Sequence, residues 1–400
     1  MHFCIFLLLT LLIVLSLNHP ANAGLSFDQQ VDDLIDNGSF ILTRNNHIIA
    51  ERNPEKLLIP ASILKVATAL ASLSILGPEY RFHTKLYLTK NNDLYIEGSG
   101  DPFLTSEEVR LILMTLKEKG VSTINNIFLD DTAFQLDARS NDSRQSLNPY
   151  DASNSALAVN FNTIHIIEGQ DGSIHSAEPQ TPTLPIMQKL GENLSPGAHR
   201  INITRDKENI HIHSGELFRA IQHELNISGN GSIAAQPIPE NMSPFYTHIS
   251  SRNIQEIIPS LLLYSNNFIA NQLFLACGIN QYGSPATWNK GRSAIKTFLN
   301  TLGISDSEFQ IAEGSGLSPK NRITSRAMIV LLDAFKPYSN MMAKSHGNLV
   351  KSGTLTGVYS YAGYLLKKNK KHSFVIMLNQ KRNTRSQLLK LLQNNSSKSK

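Results

Sequence analysis

Pro60-Ala61-Ser62-Ile63-Leu64-Lys65 is the stretch on which the reading of this chain turns. The run from Ala61 to Leu76 is rich in Ala and Leu, and Gly77-Pro78 stops it, which predicts a helix from about Ser62 to Leu76. On a helix, positions i and i+3 share one face about 5–6 Å apart, so the Lys65 amine can reach the Ser62 hydroxyl. Acyl transfer by a serine needs a nucleophile, a base for its proton and donors for the oxyanion. A serine and a lysine at a helix N-terminus, where backbone N–H groups favour developing negative charge, supply the first two. The pattern S-x-x-K is weak by itself, since Ser293/Lys296 and Ser397/Lys400 also match it. The preceding Pro60-Ala61 and the helix start set Ser62 apart.

Two further motifs give the first one its weight. Ser265-Asn266-Asn267 follows the apolar run Leu261 to Tyr264 and precedes another helical stretch, so it is expected in a tight loop that presents a hydroxyl and an amide. S-x-N also recurs at Ser228/Asn230 and Ser251/Asn253, where that context is missing. Lys351-Ser352-Gly353 is the only K-[ST]-G in the chain. Along a strand Lys351 and Gly353 share a face, and a glycine there lets another backbone lie close. S-x-x-K, S-x-N and K-[ST]-G in this order form the set found in penicillin-binding proteins and related β-lactamases, here with Asn266 in place of Asp and Ser352 in place of Thr.

The chain resembles the class C low-molecular-mass penicillin-binding proteins, the D-alanyl-D-alanine carboxypeptidase/endopeptidase family. About 200 residues lie between Ser62 and Ser265, and fewer than half as many between Ser265 and Lys351, a large first gap that marks this branch. Further matches are Gly98-Ser99-Gly100-Asp101-Pro102, Asn160-Phe161-Asn162, Gly314-Ser315-Gly316-Leu317-Ser318 and Gly363-Tyr364. The resemblance covers most of the chain and thins between about 165 and 245. It implies an α/β (α+β) transpeptidase/β-lactamase-like core, an antiparallel sheet flanked by helices, with a large, mostly β insertion. It also implies a serine-type carboxypeptidase acting on peptidoglycan stem peptides that end in, or are cross-linked through, D-Ala. Ser62 would be the nucleophile, Lys65 its base and Ser265 the proton relay to the leaving amine. Asn267 would hold Lys65 and the substrate amide. Lys351 and Ser352 would bind the terminal carboxylate, Gly353 would let the substrate backbone lie close, and the N–H groups of Ser62 and Thr354 would form the oxyanion hole. Tyr150, beside Asp151, is a further candidate near the substrate. β-Lactams would acylate Ser62, and no cofactor or metal is implied. Two rival readings are a wall-binding protein that has lost turnover and a β-lactamase.

Composition agrees with an exported globular enzyme. Residues 1–23 hold an apolar run, Phe3 to Leu17, a His19-Pro20 break and Ala21-Asn22-Ala23, which reads as a secretory signal cleaved after Ala23 and predicts a periplasmic location. Later apolar runs are too short to span a bilayer. The net charge is +5, with one dense basic cluster at Lys367 to Lys371 between two apolar runs; a hairpin tip is preferred there to a nucleic-acid patch. With Cys4 in the signal, Cys277 is left as a lone thiol inside an apolar helix, without the context of a nucleophile.

At 400 residues the chain is expected to hold two or three domains. A discontinuous catalytic part is assigned to 24–88 and 251–400, and an inserted region to 89–250. Within the insertion, Asn209 to His213 reads as a short strand that would turn His211 and His213 to one side, with no third ligand at zinc-like spacing. Thr105 and Glu108 form a candidate capping box opening a helix that ends at Gly120. Glu168 lies in a turn-like Glu-Gly-Gln-Asp-Gly run, which argues against a deacylating carboxylate. In many family members a basic residue follows Gly-Ser-Gly-Leu-Ser; here Pro319 does, with Lys320 and Arg322 beyond.

Overall fold

The computed structural model describes residues 26–44, 47–137, 146–345, 347–367 and 370–398. The signal assigned to 1–23, the Asn45-Asn46 turn and residues 368–369 of the basic hairpin lie outside them.

Six antiparallel strands form the main sheet, in the spatial order Lys344–Ser345, Asn348–Leu355, Val358–Lys367, Lys370–Leu378, Gly38–Arg44 and His47–Arg52. Its N-terminal hairpin and C-terminal strands therefore meet, with Gly38 opposite Leu378 and Leu42 opposite Phe374. Side chains alternate between faces along a strand, and here both faces are covered. Ile41, Val375 and Met377 join a core with the helices Lys65–Ile75, Ile254–Tyr264, Asn267–Tyr282 and Ser325–Phe335. Phe40, Leu42, Phe374, Ile376 and Leu378 pack on the other side with Val31, Leu388 and Leu392, from the helices Phe27–Leu34 and Arg385–Lys398. A sheet buried on both faces reads as continuous apolar sequence, as Phe374 to Leu378 does.

A second core is built from a five-stranded sheet, ordered Tyr246–Asn253, Arg81–Leu88, Leu94–Gly98, Ile127–Asp130 and Ile233–Ala235, together with a three-stranded sheet. Val109, Ile112, Leu113 and Leu116 bring the helix Ser106–Glu118 onto it at the spacing of an amphipathic face. The strand Arg81–Leu88, grouped with the catalytic segment in the sequence reading, is shared: Phe82 packs in the first core and Leu86 in the second. The segment 89–250 holds helices as well as strands.

Two local expectations are corrected here. Asn209–His213 is not a strand but part of the helix Glu208–Glu224, whose Leu217, Phe218 and Ile221 are buried at helical spacing. The two histidines consequently diverge: His211 bonds Asp131 at 3.0 Å, whereas His213 is fully buried and pushed down to about 4 by loss of water. The Thr105/Glu108 capping box is absent, and the Ser106 N–H is instead satisfied by Asn160 Oδ1 at 3.0 Å. Glu108 turns inward and accepts from His248 Nε2 at 2.6 Å and from Ser251 Oγ. Tertiary partners outcompeted a weak local bond.

Both members of the Glu108–His248 pair are buried, so removing one leaves the other without its partner in low dielectric. His248→Ala should destabilise the protein by about 3–5 kcal/mol in denaturant titration, whereas Thr105→Ala should cost well under about 1 kcal/mol, the usual value of an N-cap.

Candidate active site

Three segments far apart in the chain converge on Ser62. The serine lies in a tight turn, Ala61–Leu64, that runs directly into the helix Lys65–Ile75. Lys65 Nζ stands 3.0 Å from Ser62 Oγ, 2.7 Å from Asn267 Oδ1 and 2.6 Å from the Ser315 carbonyl. Its side chain has no solvent exposure. Burial holds the ammonium well below the ordinary lysine range, and the Lys351 charge pushes the same way against the opposing pull of Glu313. A neutral Lys65 has a lone pair within reach of the Ser62 proton, which is the geometry of a general base.

Ser265 adopts a left-handed conformation, φ 54°, where the helix Ile254–Tyr264 ends. Asn266 then caps the helix Asn267–Tyr282 by accepting from the Ile269 N–H at 3.0 Å. This junction points Ser265 Oγ at Lys351 Nζ, 2.9 Å away, and Asn267 at Lys65. Burial lowers Lys351 to about 8, so it keeps most of its charge at neutral pH. Ser62, Lys65 and Asn267 thus form one hydrogen-bonded group and Ser265 with Lys351 a second beside it, close enough for the Lys351 charge to act on Lys65.

Close backbone approaches fix the cleft. A Cβ on Gly353 would lie 2.8 Å from the Ser62 nitrogen and 2.9 Å from the Pro60 oxygen, so glycine seats the Lys351 strand against the Ser62 backbone. Gly316, at φ +81°, lies as close to the Ala61 carbonyl. Its loop winds around Glu313, a buried carboxylate that accepts from the N–H groups of Ser315 and Gly316, from Ser315 Oγ and from Asn321 Nδ2. That loop aims the Ser315 carbonyl at Lys65. Glu313 and the Ser315 carbonyl were not singled out in the sequence, although the Gly-Ser-Gly run signals an unusual backbone.

Ser352 and Thr354 expose their side chains along the strand Asn348–Leu355, and the Ser352 carbonyl accepts from Lys351. Tyr150 meets the constellation through its carbonyl, which accepts from Asn267 Nδ2 at 3.0 Å, while its ring is half exposed. Asp151 is buried and accepts from Ser146 at 2.5 Å. Arg322 folds back onto the carbonyls of Pro319 and Asn321 rather than reaching across the cleft. Glu168 ends a strand paired with Ile174, away from Ser62. Cys277 is a buried helix thiol that burial raises to about 12, which leaves it unreactive. Gly98 to Pro102 is structural: Gly100 bonds Ala156 by its N–H and Gln272 by its carbonyl.

Residues 38–190 and 188–345 match the model of the D-Ala-D-Ala carboxypeptidase 3 (S13) family. The chain belongs to this family of serine peptidases. The D-alanyl-D-alanine carboxypeptidase DacB of Haemophilus influenzae is 24% identical over 398 residues, spanning 84% of this chain and 83% of the relative. The crystal structure of penicillin binding protein 4 (dacB) from Haemophilus influenzae superposes with a TM-score of 0.74 at 21% identity, over 90% of this chain and 94% of that one. That protein has also been solved complexed with a β-lactam. A predatory peptidoglycan endopeptidase from Bdellovibrio bacteriovorus superposes with a TM-score of 0.52 at 17% identity, over 90% of each chain. At these identities the structural matches establish the fold, mixed α/β with antiparallel sheets flanked by helices.

A base that must be neutral and a cation that must be charged give opposite pH limbs. We expect kcat/KM to rise with pH as Lys65 loses its proton and to fall as pH passes about 8, where Lys351 loses its own. Lys351→Arg should move the alkaline limb upward in a pH–rate profile. Gly353→Ala, which wedges a methyl against the Ser62 nitrogen, should lower kcat/KM about 100-fold while leaving the thermal midpoint within a few degrees.

Proposed function

We propose that this chain is a serine-type D-alanyl-D-alanine carboxypeptidase that also cleaves D-alanyl–diaminopimelate cross-links in peptidoglycan. The observation that carries the reading is the Lys65 amine, fully buried and 3.0 Å from Ser62 Oγ. Lys65 takes the Ser62 proton as the hydroxyl attacks the carbonyl of the penultimate D-Ala. Ser265, polarised by Lys351, passes a proton to the departing amine and is reprotonated from Lys65, so the terminal residue leaves with a neutral amine, an ester remains on Ser62 and Lys65 is again free to act as a base. Asn267 keeps Lys65 in place and offers its amide to the substrate. Water, deprotonated through the same amine, then hydrolyses the ester. The positive charge of Lys351 with Ser352 and Thr354 receives the substrate carboxylate, and the N–H groups of Ser62 and Thr354 receive the oxyanion. Tyr150 borders the substrate through the backbone that steadies Asn267.

β-Lactams carry a strained amide beside a carboxylate and acylate Ser62 by the same path; the β-lactam complex of the Haemophilus influenzae protein supports this. The endopeptidase activity is supported by the peptidoglycan endopeptidase among the structural relatives. Export to the periplasm rests on the apolar leader 1–23, and no described helix is long and apolar enough to cross a membrane. In this proposal 24–88 and 251–400 form the catalytic part and 89–250 the inserted region, with the strand Arg81–Leu88 shared between them.

Labelled penicillin should leave one adduct on the wild type, located at Ser62 by peptide mass mapping, and none on Ser62→Ala. The wild type should also release D-Ala from a D-Ala-D-Ala peptide. An adduct without peptide turnover would identify a silent wall-binding protein, and an undiminished adduct on Ser62→Ala would overturn the mechanism.

A further inference from the structure

Arg385 stands outside every motif, at the start of the helix Arg385–Lys398, yet it touches the far end of the Lys351 strand. Its Nη1 donates to the Gly353 carbonyl at 2.7 Å and to Thr354 Oγ1 at 2.8 Å. The guanidinium lies over the Tyr361 ring, 4.6 Å from the centroid, so it is held on a second side. Leu388 and Leu392, one and two turns further along the helix, are fully buried and anchor its position.

A hydroxyl offers one proton and two lone pairs. With a lone pair of Thr354 occupied by a cationic donor, its proton is directed away from Arg385, toward the exposed edge of the strand. We infer that Arg385 is a positioning residue which commits the Thr354 hydroxyl to act as a hydrogen-bond donor toward the α-carboxylate of the substrate, and adds a fixed positive charge behind it. The inference rests on the proposed function, in which Thr354 faces that carboxylate. The negative end of the peptide is then read by the charge of Lys351 from the buried side, and by Ser352 and Thr354, with Arg385 behind Thr354, from the exposed side. Both bonds leave the single nitrogen Nη1, whose direction is set by the planar guanidinium stacked on Tyr361. The consequence is selectivity: ligands bearing a free carboxylate gain from Arg385, and neutral ones do not.

The test uses the mature protein carrying Arg385→Ala, Arg385→Gln, Thr354→Ala or both Arg385→Ala and Thr354→Ala, with melting curves to establish that each folds. Acylation of Ser62 by benzylpenicillin and by its methyl ester is followed by intact mass, and hydrolysis of a D-Ala-D-Ala peptide by D-Ala release. Arg385→Ala should lower kcat/KM for the peptide, and the acylation rate constant for benzylpenicillin, by about 10- to 100-fold, the usual worth of a hydrogen bond to a charged group. It should leave the methyl ester within about 2-fold, and the two substitutions combined should lose little more than one. Arg385→Gln, which retains bulk against Tyr361, should show the same discrimination if the alanine variant fails to fold. Equal losses for acid and ester, fully additive losses in the double variant, or no loss at all would overturn the assignment. A wild type with no penicillin adduct would instead sink the proposed function itself.

Discussion

Burying the Lys65 amine out of reach of solvent is the constraint that organises this molecule. Burying a charged ammonium costs several kcal/mol unless the group is paired or gives up its proton. Here the nearest partners are the Ser62 hydroxyl, the Asn267 amide oxygen and a main-chain carbonyl. None of the three is a carboxylate, and Lys351 adds repulsion. Deprotonation relieves that penalty, so burial favours the lysine state that carries a free lone pair.

The buried carboxylate of Glu313 fits the same logic. It is close enough to raise Lys65, but its oxygens are occupied by the N–H groups of its own loop and by Asn321. Its charge is spent on shaping a turn rather than on holding the Lys65 proton. The turn delivers the Ser315 carbonyl, and glycine at 316 lets it press against Ala61. Gly353 does the equivalent work from the other side. The Ser62 backbone is thereby gripped between a loop and a strand, a rigidity that preorganised donors for developing charge require.

The second core contributes through its margins. Asn160 caps the helix Ser106–Glu118 across 54 residues of sequence, and the adjacent Phe161 packs edge-on against Phe103 and Phe268. Phe268 follows Asn267 directly, and Asn154 Nδ2 donates to the Phe268 carbonyl. The Tyr150 carbonyl meets Asn267 itself. Contacts from the 89–250 segment thus support the helix start that aims the Asn267 amide at Lys65, so that segment is mechanically part of the site.

Sequence alone determined the local chemistry: a serine and lysine on one helical face, an S-x-N run between two apolar helices, a lysine and glycine alternating on a strand, and the buried, inert character of Cys277. These follow from short-range periodicity, which the order of residues contains in full. Tertiary structure decided what depends on partners distant in the chain. Asn209–His213 is rich in β-branched and aromatic side chains, yet it is helical because Leu217, Phe218 and Ile221 need one face of a longer helix to fill the second core. Glu108 left its expected cap for His248, about 140 residues away. Arg385 carries no motif and acquires its place only when the last helix docks beside Thr354. Long-range pairing of charged and polar groups is set by packing geometry, and no window of neighbouring residues encodes that.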